Sequence, residues 1–167
     1  MIFLYIAFSI LTYVIWTVLH EVSHIAAANA LAKISDAKIM PYPHVYERDG
    51  KKHFVFARAT WRWVDGYPSN KKRALVSLAP RFFNLLACLV LVLVFGLAFS
   101  ASNFLLIFCL GGLVDLAVGS IGYREKSDLR KAATYLSLSP WIFRVVGWLL
   151  VLSLGIPTLV MLFTNLF

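Results

Sequence analysis

Four long apolar blocks restrict the architecture of this 167-residue chain more than any other feature. Ile2 to Leu19 and Phe82 to Phe99 carry no formal charge, Phe104 to Ile121 carries only Asp115, and Val145 to Phe163 is again uncharged. A helix needs about 20 residues to cross about 30 Å of hydrocarbon, so each block is close to one crossing. The composition, 60% hydrophobic, leaves too little polar chain for a separate soluble domain. The expected fold class is therefore an all-α polytopic membrane protein: one domain over residues 1–167, with about four transmembrane helices over 2–32, 74–99, 104–122 and 141–164.

The net charge of +8 bears on topology. Ten Lys or Arg fall in Lys33 to Arg73 and four in Arg124 to Lys131, whereas the turn from Ser100 to Asn103 has none. With four crossings, both basic connections lie on one face. The positive-inside rule puts them in the cytoplasm and both termini outside. Basic residues confined to connections do not form a nucleic-acid surface, so no nucleic-acid partner is expected. The lipid bilayer is one. Ala30-Leu31-Ala32 resembles a signal-peptidase site, but the apolar run before it is long and no basic residue precedes that run, so the segment is read as a retained helix.

The first connection contains a β-hairpin signal over about 41–64. Pro41 and Pro43 exclude helix, and Asp49-Gly50 separates two stretches rich in aromatic and β-branched residues, a pattern that favours a two-residue turn. Its aromatic residues, among them Phe54, Phe56, Trp61 and Trp63, favour the membrane surface. His44 and His53 fall on this hairpin and read as surface histidines, His44 also as a candidate mobile ligand. In the second connection, Ser127 or Asp128 caps a short surface helix, and Pro140 opens the last span. Cys88 and Cys109 lack metal-site spacing and read as small core residues.

One motif carries chemistry. In His20-Glu21-Val22-Ser23-His24 the histidines stand four apart, on one helical face, where two imidazoles reach a single Zn²⁺ ion. Glu21 stands about 100° around the helix, beside the metal, where a carboxylate can activate the attacking water. Three ionisable groups within five residues of an apolar helix are costly unless they serve a site. A catalytic zinc takes three protein ligands and keeps one position open. Depth favours Asp115 as the third: His24 lies nine residues before Lys33, and Asp115 nine before Arg124, roughly 13 Å inside the same boundary at ~1.5 Å per residue. Asp128, beyond Arg124 in the polar connection, reads as a cap or a solvated charge. The small residues Gly111, Gly112, Gly119, Ser120 and Gly122 permit close helix approach, for the site or for ordinary packing. Arg81 and Arg144 read as interfacial side chains that snorkel.

HExxH in the first apolar helix, followed by an apolar helix bearing an aspartate, resembles the site-two protease family of intramembrane zinc metalloproteases. Ala79-Pro80-Arg81-Phe82-Phe83-Asn84 is similar to that family's Gly-Pro-x-x-x-Asn pattern. The family's Asn-x-x-Pro-x-Pro-x-x-Asp-Gly signature is absent around Asp115, and no PDZ-like insertion is present. The resemblance implies zinc on His20, His24 and Asp115 with Glu21 as the base, in a compact and divergent member.

The expected activity is hydrolysis of peptide bonds in membrane-protein or transmembrane-peptide substrates, without an acyl-enzyme. The hairpin around Phe54 and Phe56, with Asn84, is the candidate substrate contact, by strand addition. The competing readings are an inactive metal-binding homologue and a small transporter subunit that uses His and Asp as an ion path.

Overall fold

The computed structural model describes residues 2–48, 50–55, 57–98, 103–121 and 127–166. Phe56, Asp49, Gly122 and Arg124, all used in the sequence reading, lie outside the described residues. Among the described residues five helices occur: α1 (Ile2–Leu31), α2 (Asn70–Ala98), α3 (Asn103–Ile121), α4 (Asp128–Leu136) and α5 (Pro140–Leu166). All but α4 are long and apolar enough to cross a membrane. The expected spans agree within two residues, except that α2 begins a turn early, at Asn70. Lys71, Lys72 and Arg73 are good helix formers, so the helix starts ahead of the apolar block.

The four long helices share a core around Trp16, with Leu154 of α5 packed at its side. Trp16 of α1 is 1% exposed and packs with Cys88 of α2 and Leu113 of α3, and its indole N–H donates to the Phe108 carbonyl at 2.7 Å. A Cβ at Gly112 would stand 2.8 Å from both Trp16 and the Cys88 sulfur, so glycine is what admits that ring. Both cysteines are buried and unpaired, as small core residues.

The connection between α1 and α2 holds more strand than the sequence reading gave it. The expected hairpin is present as β2 (His44–Arg48) and β3 (Lys51–Val55), antiparallel, with Arg48 opposite Lys51 across the two-residue turn. Gly50, at φ +68°, supplies the left-handed backbone such a turn needs. A second ladder was not foreseen: β1 (Ile34–Met40) pairs with β4 (Arg58–Trp63), with Ile39 opposite Ala59. β1 alternates poorly, because a bulge between Ser35 and Lys38, with Asp36 at φ 53°, interrupts its period. The Val64 amide donates to the Lys33 carbonyl at 3.1 Å and ties the base of this ladder to the end of α1.

Helix α4 begins at Ser127, whose hydroxyl accepts from the Arg130 amide at 3.4 Å, in agreement with the expected cap. It is not a free surface helix, however. Leu129, Ala132, Ala133 and Leu136 stand at i, i+3, i+4 and i+7, and Leu129 and Ala132 bury against Ala74 and Leu78 of α2, with Phe143 of α5 alongside. This docking turns the N-terminus of α4 back toward His20 and His24 in the C-terminal half of α1.

Candidate metal centre

The two histidines of α1 project together, their ring centroids 5.1 Å apart. Each ring is fixed from behind through Nδ1. His24 Nδ1 lies 2.8 Å from the Val76 carbonyl of α2, and His20 Nδ1 lies 3.0 Å from Asp115 Oδ2 of α3. A carbonyl or carboxylate oxygen only accepts, so both Nδ1 atoms carry the hydrogen. In the neutral rings both Nε2 atoms are then bare lone pairs, and they point to one place. His20 Nε2 is 3.1 Å and His24 Nε2 is 3.3 Å from the same oxygen, Asp128 Oδ2. Three acceptors crowded this closely repel one another unless a positive charge, a proton or a metal ion, lies among them.

His20, His24 and Asp128 form a group whose ligand atoms all fall within 4.8 Å of one another, as a bound metal ion requires. The aspartate that reaches the free nitrogens is therefore Asp128, whereas the sequence reading preferred Asp115. The depth argument correctly put Asp115 level with the histidines, but the carboxylate sits behind His20. Its Oδ2 also accepts from Asn84 Nδ2 at 2.7 Å and from Arg81 Nη1 at 3.1 Å. Asp128 was placed in a solvated connection because the chain leaves α3 there. The docking of α4 on α2 brings it back, leaving its side chain 14% exposed. Burial pushes the Asp128 carboxyl up, but when protons occupy the cluster the imidazole N–H groups that then donate to it, together with the positive charges of the ring and of Lys131, hold it well below the usual carboxylate range. Lys131 Nζ lies 3.1 Å from the other oxygen, Oδ1.

Arg81 does not snorkel. Its side chain is 12% exposed and donates to Asp115 twice, to the carboxylate and, at 2.7 Å, to the backbone carbonyl. Gly119 makes the space, since a Cβ there would overlap the guanidinium group. Asn84, a candidate substrate contact, is fully buried and belongs to this network. Phe54 is 57% exposed on β3 and does not line the cavity described below. His44 stays on the hairpin, where Nδ1 donates to the Tyr42 carbonyl at 2.9 Å.

Glu21 faces the β1–β4 ladder. Its Oε2 accepts from the Ala59 amide of β4 at 2.7 Å. Glu21, His24 and Asp128 line one cavity of about 630 Å³, walled by β4 through Ala59, Trp61 and Trp63 and by Arg73 and Tyr135 at the starts of α2 and the end of α4. The ring of Trp61 lies 6.3 Å from that of His24.

No protein-family model, curated protein or solved structure matches the chain. Fold and site together define a small helical protein, with four helices long enough to cross a membrane and a buried cluster of two imidazoles and a carboxylate beside a second carboxylate.

Proposed function

We propose that the chain is a multi-pass membrane zinc metalloprotease in which His20, His24 and Asp128 hold the metal and Glu21 is the general base. The convergence of two imidazole Nε2 atoms and one carboxylate oxygen carries this reading. Two imidazoles and a carboxylate are a donor set suited to zinc, and three protein ligands leave a position open. Charge balance favours the same assignment. Arg81 answers the charge of Asp115, while Asp128 and Glu21 together would neutralise a divalent ion where the dielectric is low. The ion, when bound, would polarise a scissile carbonyl and acidify a water molecule.

The chain's own residues supply the rest. Glu21 would take the proton from the attacking water and pass it to the leaving amine. The Ala59 amide holds Oε2 in place, and Oε1 would be the oxygen that takes the proton. Strand β4 pairs only with β1 among the described residues, and its other edge, marked by the Ala59 amide, borders the cavity. An extended substrate segment would add to that edge beyond Ala59, whose amide is engaged by Glu21, with backbone hydrogen bonds giving affinity and the Trp61 and Trp63 rings shaping the pocket. The hairpin, α4 and the cavity mouth would lie on the cytoplasmic face, and both termini outside, as the basic connections favour.

The test compares wild type with Glu21→Gln for cleavage of co-expressed membrane proteins, with zinc content measured on both. Retained zinc with lost cleavage is expected. Equal cleavage by both proteins would remove Glu21 from the mechanism, and zinc-free wild-type protein would remove the site.

A further inference from the structure

We propose that one stretch of α2, Val76 to Asn84, orients both imidazoles, and that Pro80 takes part through the hydrogen it lacks. The inference rests on the reading of His20 and His24 as metal ligands and adds the residues that aim them.

Within an α-helix the carbonyl of Val76 would accept from the amide of residue 80, four positions on. Residue 80 is proline, which has no N–H, and α2 runs through it without a break. The Val76 carbonyl is thereby released from its own helix, and it is this carbonyl that accepts from His24 Nδ1 at 2.8 Å. Pro80 is itself buried, so water does not compete for the freed oxygen from that side. The sequence in effect trades one intrahelical hydrogen bond for a bond that fixes the tautomer and angle of the His24 ring.

His20 is oriented through Asp115. Asn84 and Arg81 both donate to Asp115 Oδ2, and Arg81 grips the Asp115 carbonyl as well. The carboxylate is thus held at two points and its charge is answered by the guanidinium, which leaves it in place to accept from His20 Nδ1. Val76, Pro80 and Asn84 stand at i, i+4 and i+8, on one face of α2, with Arg81 adjacent. Partners that fix the remote ring nitrogen of a ligating histidine typically contribute ten- to a hundredfold to metal affinity.

Zinc and cobalt(II) affinities of the purified full-length protein, by competition with a chromophoric chelator, test this, together with the cobalt(II) absorption spectrum and metal-free thermal unfolding. Pro80→Ala returns an N–H to the helix, which then competes for the Val76 carbonyl. We expect zinc binding to weaken by about tenfold or more and the cobalt bands to shift, while metal-free stability is no lower than in wild type. Pro157→Ala, the same change inside α5, should leave zinc affinity unchanged. Asn84→Ala and Asp115→Asn should each weaken zinc as Pro80→Ala does. Wild-type affinity and spectrum in Pro80→Ala would overturn the His24 arm, as would an equal loss in Pro157→Ala or a joint fall of stability and affinity. Wild-type affinity in Asn84→Ala and Asp115→Asn would overturn the His20 arm. If wild type itself bound neither metal, the metalloprotease reading would fail, a different result from wild-type binding that survives every substitution.

Discussion

Gly119→Ala isolates the buried Arg81–Asp115 pair with the smallest possible change. A Cβ at 119 would overlap the Arg81 guanidinium, which must then move by roughly 1 Å or more to regain an ordinary carbon–carbon separation of about 3.5 Å. A move of that size carries Nη1 beyond hydrogen-bond reach of the Asp115 carbonyl and carboxylate, now 2.7 and 3.1 Å away. The guanidinium ends a flexible side chain, so the steric cost alone is small. The cost lies in the acceptor left behind. Loss of hydrogen bonding to a charged group costs about 1.5–3 kcal/mol, and complete loss of one partner of a buried pair about 3–5 kcal/mol. At about 2–4 °C per kcal/mol for a chain of this size, the melting temperature should fall by at least about 3 °C.

The control is Gly155→Ala in α5. There the new Cβ meets only Leu113, at an ordinary 3.9 Å, and alanine's helix propensity favours stability by up to about 1 kcal/mol. Thermal unfolding in one detergent, read by circular dichroism without metal, should therefore move the two variants in opposite directions. Equal melting temperatures in both variants and wild type would refute the argument, because they would mean that Arg81 keeps its bonds without the space that Gly119 provides.

Three further outcomes follow from the site. Asp128→Asn should weaken zinc by a hundredfold or more, the loss of a ligand exceeding that of an outer partner, while circular dichroism shows α4 still folded; unchanged affinity would exclude Asp128 from the metal. Ala132→Glu, which sets a charge between α4 and α2 where the side chain is fully buried, should undock α4 and weaken zinc although it touches no ligand. Zinc titration of that variant, with a helix content near wild type, is the check. Finally, excess chelator should lower the melting temperature of zinc-loaded protein, because a ligand at a thousand times its Kd stabilises the folded state by about 4 kcal/mol; an unchanged melting curve would show that no metal was held.

What could be read from the sequence followed the range over which each signal acts. The apolar blocks and HExxH are local patterns, so the long helices and the shared face of His20 and His24 follow from spacing alone. The depth argument is also sound where a helix fixes position, and it brought Asp115 of α3 level with His20 of α1. It failed at Asp128 because it assumed that a chain leaving the apolar layer keeps going. The stripe Leu129, Ala132, Ala133 and Leu136 was visible and denotes a helix docked on something. The receiving patch, Ala74 and Leu78, lies more than 50 residues earlier in α2 and looks in sequence like part of a span. Arg81 was misjudged for a related reason: an arginine near a helix end ordinarily reaches for the interface, and only the absent side chain at Gly119 and the carboxylate of Asp115 reveal that it turns inward. With the inward arginine in place the choice between the two aspartates is an electrostatic one. Asp115 already has its counter-charge, and a metal ion drawn to it would have to share that carboxylate with a guanidinium. Asp128 faces the Nε2 atoms of two imidazoles, and Lys131, the cation paired with it among the described residues, sits on the opposite oxygen and is 43% exposed. A cation entering the cluster would therefore be drawn to the carboxylate that the polar connection delivers from outside the long helices.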